Sequence, residues 1–359
     1  MSTEPIRSDN LGSLLRPQYL RDAHDDPALS ADERRAIEDR AILEAIALQE
    51  AVGLPIVTDG EFRRRHFFST LVAVTEGMDP EGYVRHHRDE SGNWFPVRTP
   101  TAVQRLRRTG TMAEHEYAFV RAHTDRLVKV TLPAPSLLAA YWNKDADGPY
   151  RTRAEYLDHL VELTREDVAA LAHAGADHVQ IDAPHYSYMA TILPEEGDPD
   201  ALLADAVRRD QEVFDGIDVT SALHVCRGNN RSRYVGSDPY DAFAGVLFPE
   251  IHVDRVLLEY DDDRSGGFEP LRLLPEDVVV VLGLLTTKRS MIEQADTLRR
   301  RIDEAADVVG LDRLALSKQC GFASDAEGNA ITPDAQRAKL ALVVDLAAEV
   351  WGSPVGGAH

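Results

Sequence analysis

The sequence predicts an α/β fold, a (β/α)₈ TIM barrel with a hairpin or lid insertion after its second strand. Three observations lead there. Short β-branched runs alternate with long amphipathic stretches, the order in which βα units build a parallel sheet. The run VVVVLGLL (278–285) is apolar on both faces, which suits a parallel strand covered by helices. Polar residues recur where each proposed strand ends, the rim on which such barrels carry their chemistry. A doubly wound open sheet is the alternative that periodicity leaves standing.

The elements follow in order. SDNLGSLL (8–15) supplies an eighth strand to seven clearer ones. SADERRAIEDRAILEAIALQEAVG (30–53) opens on a serine with Glu33 three residues on, a capping box, and stops at Gly53. PIVTDG (55–60) is the next strand. Residues 62–126 are too long for a bare connection. They hold polar HHRDESGNWFPVRTP, alternating VRTPTAVQRL and a helical MAEHEYAFVRAHT, which read as a hairpin insertion or lid. LVKVTLP (127–133), HVQIDA (178–183), DVTSALHVC (218–226), RVLLEYD (255–261), VVVVLGLL and LALSKQC (314–320) complete the strands. YLDHLVELTREDVAALAHAG and AQRAKLALVVDLAAEVWG show the helical apolar stripe with a glycine stop. Residues 1–352 are expected to form one catalytic domain and 353–359 a C-terminal tail.

A 43% hydrophobic, 28% charged composition is that of a chain able to bury a large core in water. The net charge of −22 argues against nucleic acid or an anionic membrane as partner, since phosphates would be repelled. With no secretory leader and no apolar run of about 18 residues, a cytoplasmic location is expected. Association into a homo-oligomer is compatible with these features. Cys226 and Cys320 are the two cysteines, and in a reducing compartment they do not suggest a structural disulfide.

Both cysteines fall at proposed strand ends. The set there comprises Gly12-Ser13, Asp59-Gly60-Glu61, Pro133 to Ser136, Asp182, His224 with Cys226, Glu259, Thr286 to Lys288, and Cys320. In the stretch ALHVCRGNN the H-x-C spacing puts imidazole and thiol on one face of a strand. Two thiolates, an imidazole and a carboxylate form a soft set that suits Zn²⁺ better than Mg²⁺ or Ca²⁺. Around one ion they are net negative, which favours alkylation of a bound sulfur over hydrolysis. Taken singly, each residue has a plainer reading: Cys320 as a small buried hydrophobe, Glu259 as a rim ion pair. Their recurrence at strand ends favours the ligand reading.

LGSLLRP, VGLPIVTDGEFRR, LHVCRGN, LLEYDDDRSGGFEPL and LSKQCGFAS resemble the catalytic half of the cobalamin-independent methionine synthases, above all their short single-domain relatives, from about residue 8 to 352. The resemblance implies a (β/α)₈ barrel in which zinc activates homocysteine for methyl transfer from methyltetrahydrofolate. It implies His224, Cys226, Glu259 and Cys320 as zinc ligands. It implies Ser13 on the substrate carboxylate, with the Leu11 carbonyl, Glu61 and Asp182 facing the ammonium. Short relatives extend the donors to methylcorrinoid proteins and the chemistry to epoxide–thiol ligation. A non-catalytic zinc or thiol sensor is the reading from another class.

The sequence departs from the family's pattern in places. The resemblance is to the catalytic barrel alone, so no second, N-terminal barrel is expected; Ala183 stands where the family has an acid, and Thr286 and Lys288 occupy the places of an aspartate and a histidine. Arg227, Arg231 and Arg233 either neutralise Asp261 to Asp263 or clamp an anionic group. Phe67 and Phe68 are placed to wall a pocket. His66, His86, His87 and His185 are expected at the surface or behind the ligands.

Overall fold

The computed structural model describes residues 6–88, 91–142, 148–189, 193, 197–236 and 238–352; the expected tail, 353–359, lies outside the described residues. Seven strands form one curled parallel sheet. They are β1 (Ile56–Val57), β4 (Leu127–Pro133), β5 (His178–Asp182), β6 (Thr220–Val225), β7 (Arg255–Glu259), β8 (Val279–Leu285) and β9 (Leu314–Lys318), in that spatial order. Every predicted strand but the first is present. Their near-continuous burial explains the β-branched runs, because a parallel strand meets helices on one side and the lumen on the other.

The eighth position is filled differently from the expectation. Residues 8–15 make an isolated bridge, Ser8 to Leu316, rather than a strand. The segment nonetheless spans the gap between β9 and β1: Asp9 N donates to Leu316 O at 2.9 Å and Leu14 N to Gly60 O at 3.1 Å. The predicted strand 55–60 shrinks to Ile56–Val57, because Gly60 (φ +71°) and Glu61 (φ +59°) turn the chain out of extended geometry.

The helices form as their end signals require. Ala31–Ala51 has the full capping box on Ser30 and Glu33. Arg153–His173 is capped by the Thr152 side chain and Pro333–Trp351 by that of Thr332. Residues 62–126 do hold a hairpin: β2 (Thr75–Arg88) pairs antiparallel with β3 (Trp94–Arg108), outside the barrel sheet, between the helices Ser69–Ala73 and Glu114–Arg121.

Alternation along the strands decides what enters the lumen. Ala222, Leu257, Val281 and Ala315 pack with Leu11 in a small buried cluster. His224 and Glu259 lie two residues further along β6 and β7, so they share that face one layer nearer the C-terminal ends. Beneath them the lumen is polar. Asp9 is buried against both Lys129 and Arg255, with its Oδ2 3.2 Å from the arginine.

Candidate active site

The strand ends surround a cavity of about 420 Å³. At its floor a ring nitrogen of His224 and the sulfurs of Cys226 and Cys320 lie within 4.8 Å of one another, all buried. Strands β6 and β9 are three places apart in the sheet, so barrel curvature alone brings the two cysteines together. Gly228 N donates to Cys226 Sγ at 3.4 Å, the donor pattern that stabilises a thiolate. The sulfurs are coupled: a hydrogen bond with Cys226 draws Cys320 down, against burial and aided by His224 and Lys288, while the same bond and burial push Cys226 up. The floor therefore favours one thiolate even before any cation is considered.

His224 Nδ1 stands 3.1 Å from Asp182 Oδ1, and the buried Nε2 has no hydrogen-bond partner among the described residues. An orphaned imidazole nitrogen beside two sulfurs is a donor set that fits zinc. Glu259 stands apart from this trio. Its fully buried carboxylate accepts from Arg227 N at 3.1 Å and from Arg227 Nη2 at 3.2 Å. The structure thus clusters three of the four expected ligands and ties the fourth to an arginine.

Leu11, Ser13, Glu61 and Asp182 all line the same cavity. Glu61 is held by a strained turn. A non-glycine residue at φ +59° costs roughly 1–2 kcal/mol, and Asp59 Oδ1 supports it by accepting from Glu61 N at 2.9 Å. Burial pushes the Glu61 carboxyl up to about 7, with Arg64 pulling it down and Asp182 and Asp59 adding to the rise. Its Oε1 accepts from Thr131 at 2.9 Å, and its buried Oε2 has no partner among the described residues. Two glycines make room here: a Cβ on Gly12 would lie 2.4 Å from Glu61 Oε1, and one on Gly321 would lie 2.0 Å from Ser13 Oγ.

Gln180 escaped the sequence reading. Its Nε2 donates to Leu11 O at 2.9 Å and to Asp182 Oδ1 at 2.7 Å, and its Oε1 accepts from Lys129 at 3.0 Å. One amide thus fixes a carbonyl and a carboxylate at the same end of the cavity. The signal was its position two residues before Asp182, on the same strand face.

The arginines divide. Arg227 pairs with Glu259 and Asp262, whereas Arg231 pairs with Asp325 and Glu327 rather than the predicted acids. Arg233 lies over the Phe95 ring, 5.6 Å from its centroid. Lys288 Nζ donates to Gly228 O (3.3 Å), Asn229 Oδ1 (3.1 Å) and Arg233 O (3.3 Å), bracing the 228–233 loop. Phe67 and Phe68 do wall the cavity, with His66, Tyr141 and Tyr188; β3 adds Phe95, Pro96, Val97 and Arg98. His66 is exposed, and His185 is fully buried against Ser136.

Comparison with known sequences decides the family. The profile described as the catalytic domain of the cobalamin-independent synthases matches residues 16–349. This chain belongs to the cobalamin-independent methionine synthase family. YxjH of Bacillus subtilis, itself uncharacterized, is 35% identical over 97% of this chain and 95% of its own length. A methionine synthase of Sulfurisphaera tokodaii is 22% identical over 87% of this chain and 84% of its own. The fold matches a B12-independent methionine synthase from Shewanella sp. W3-18-1, solved in complex with selenomethionine, at a TM-score of 0.78 and 21% identity, covering 97% and 98% of the two chains. Membership makes the chain a methyltransferase-family protein with the family's barrel. Among the described residues no helix is long and apolar enough to cross a membrane.

Proposed function

We propose that this protein is a zinc-dependent S-methyltransferase acting on homocysteine or a close amino-acid thiol, with methionine or the matching S-methyl compound as product. The meeting of His224 with Cys226 and Cys320 at the floor of a cavity walled by Ser13, Glu61 and Asp182 carries this reading. A zwitterionic amino acid needs acceptors for its ammonium and a donor for its carboxylate. Leu11 O, Glu61 and Asp182 supply the first and Ser13 the second, which directs the substrate's thiol to the floor.

His224, Cys226 and Cys320 would hold zinc, with Glu259 as fourth ligand once released from Arg227. Zinc there supplies the positive charge that keeps an incoming thiol deprotonated at neutral pH. Asp182 keeps the proton of His224 on Nδ1, so that Nε2 offers its lone pair. The apolar walls exclude water from the sulfur, and the hairpin acts as a lid. Methyltetrahydrofolate and a methylcorrinoid are the donors that the family resemblance implies.

Protein purified without added metal should carry about one zinc per chain, and Cys226→Ser and Cys320→Ser should each lose it together with thiol methylation. Activity that survives strong chelation and both substitutions rules the proposal out.

A further inference from the structure

The upper half of the cavity differs in kind from the floor. Phe68 meets Phe67 edge-on at 5.3 Å and Tyr141 at 6.4 Å, and His66 stacks on Phe68 at 5.3 Å. Phe95, from β3, and Tyr188 complete an aromatic wall. Ring faces attract cations, and cages of them recognise methylated onium groups.

Three arginines stand in the same wall, and two are already engaged. Arg98 is bonded to Glu81, and Arg231 to Asp325 and Glu327. Among the described residues Arg233 has no acidic partner; it is exposed and lies over Phe95. It is therefore a free receptor for a carboxylate beside an aromatic cage.

The third observation concerns protons. A methyl group on a neutral amine leaves behind a strongly basic nitrogen, so that transfer needs an acid. Lys288 is bound to three oxygens of the 228–233 loop. Burial raises Tyr141 to about 12 and Tyr188 well above the ordinary phenol value, which makes both weak acids at neutral pH. Glu61 is engaged at the ammonium end. A methyl group on a sulfonium or quaternary ammonium leaves as a neutral sulfide or amine and needs no proton. About 420 Å³ to hold thiol and donor together is toward the small end for ligand sites.

We infer that the upper half of this cavity binds a small methyl-onium carboxylate as methyl donor, its onium methyls against Phe67, Phe68 and Tyr141 and its carboxylate on Arg233. The inference rests on the thiol-methylation reading and adds the donor class. The substrate thiol gives its proton to water on binding. Its sulfur lone pair then forms the S–C bond, the C–S or C–N bond of the onium breaks, and that pair stays on the departing neutral sulfide or amine.

The test uses zinc-loaded full-length protein with homocysteine and four methyl-deuterated donors: dimethylsulfoniopropionate, glycine betaine, methyltetrahydrofolate and methylcobalamin. Mass spectrometry reads labelled methionine. Label is expected from at least one onium donor, at a rate a hundredfold or more above the other two classes. Arg233→Gln and Phe68→Leu should each raise the KM for that onium roughly tenfold while the KM for homocysteine stays put. Calorimetry should show the same onium binding to the wild-type homocysteine complex and weakening in Arg233→Gln. Label from methyltetrahydrofolate or methylcobalamin alone overturns the onium proposal and leaves thiol methylation standing. Label from no donor overturns both.

Discussion

Asp182 and His224 sit directly opposite each other on β5 and β6, with Oδ1 3.1 Å from Nδ1, which leaves Nε2 as the ring nitrogen without a partner among the described residues. Replacing Asp182 by asparagine removes the charge that fixes the proton on Nδ1. Partners behind a metal-binding histidine are typically worth 10–100-fold in metal affinity. Asp182→Asn should therefore weaken zinc retention by about that factor, read by competition with a chromophoric chelator, with the fold intact by circular dichroism.

Gln180 has no chemical role of its own, and its removal should still be felt at the substrate. Gln180→Leu strands Leu11 O in a buried site and leaves Lys129 Nζ with Asp9 as its remaining partner, and an orphaned buried group costs about 1–3 kcal/mol. The expected result is a urea midpoint shifted down by a corresponding amount and a KM for homocysteine raised several-fold. An unchanged KM in a destabilised variant would limit Gln180 to a structural role.

If Glu61 holds the substrate ammonium as proposed, it should make binding of the amino acid pH-dependent. Its carboxyl, raised to about 7 by burial, is protonated in the free protein below that pH. An ammonium needs the carboxylate, so binding must expel that proton. The sign follows: KM for homocysteine should be flat above about pH 7 and climb as pH falls below it, by at most tenfold per pH unit. Glu61→Gln should have a high KM that no longer responds to pH in this range.

Gly12→Ala tests the close approach at the turn. The added methyl would lie 2.4 Å from Glu61 Oε1 at a φ of +138°, so the carboxylate must move. Homocysteine affinity should fall by more than tenfold, measured calorimetrically, while zinc content stays at the wild-type level.

Much of this was legible beforehand, for a physical reason. A strand's period of two ties each polar end residue to the face of its apolar neighbours. Ala222 and Leu257 therefore announced the direction of His224 and Glu259. The lone cysteines stood out against a chain that otherwise avoids thiols. What stayed hidden depends on distance rather than period. The Asp9–Lys129–Gln180–Asp182 chain joins residues from three segments, and a lysine inside LVKVTLP reads as a flaw in a buried strand until its partner is seen. For Arg231 the sequence offers Asp261 to Asp263 or an anionic group to clamp; Asp325 and Glu327, distant in sequence, pair with it instead. The bond from Arg227 to Glu259 belongs to the same class of contact.

The closing segment has a consequence for biosynthesis. Ser8 bridges Leu316, and Ala323 N donates to Ser13 Oγ at 3.2 Å, so residues 8–13 must wait for residues 316–323 to be synthesised before they find these partners. The seam where these two segments meet runs along the cavity, which Ser13 and Cys320 both line. A nascent chain stalled before residue 316 has neither the seam nor Cys320, so on the proposed reading zinc retention would report whether that seam has closed.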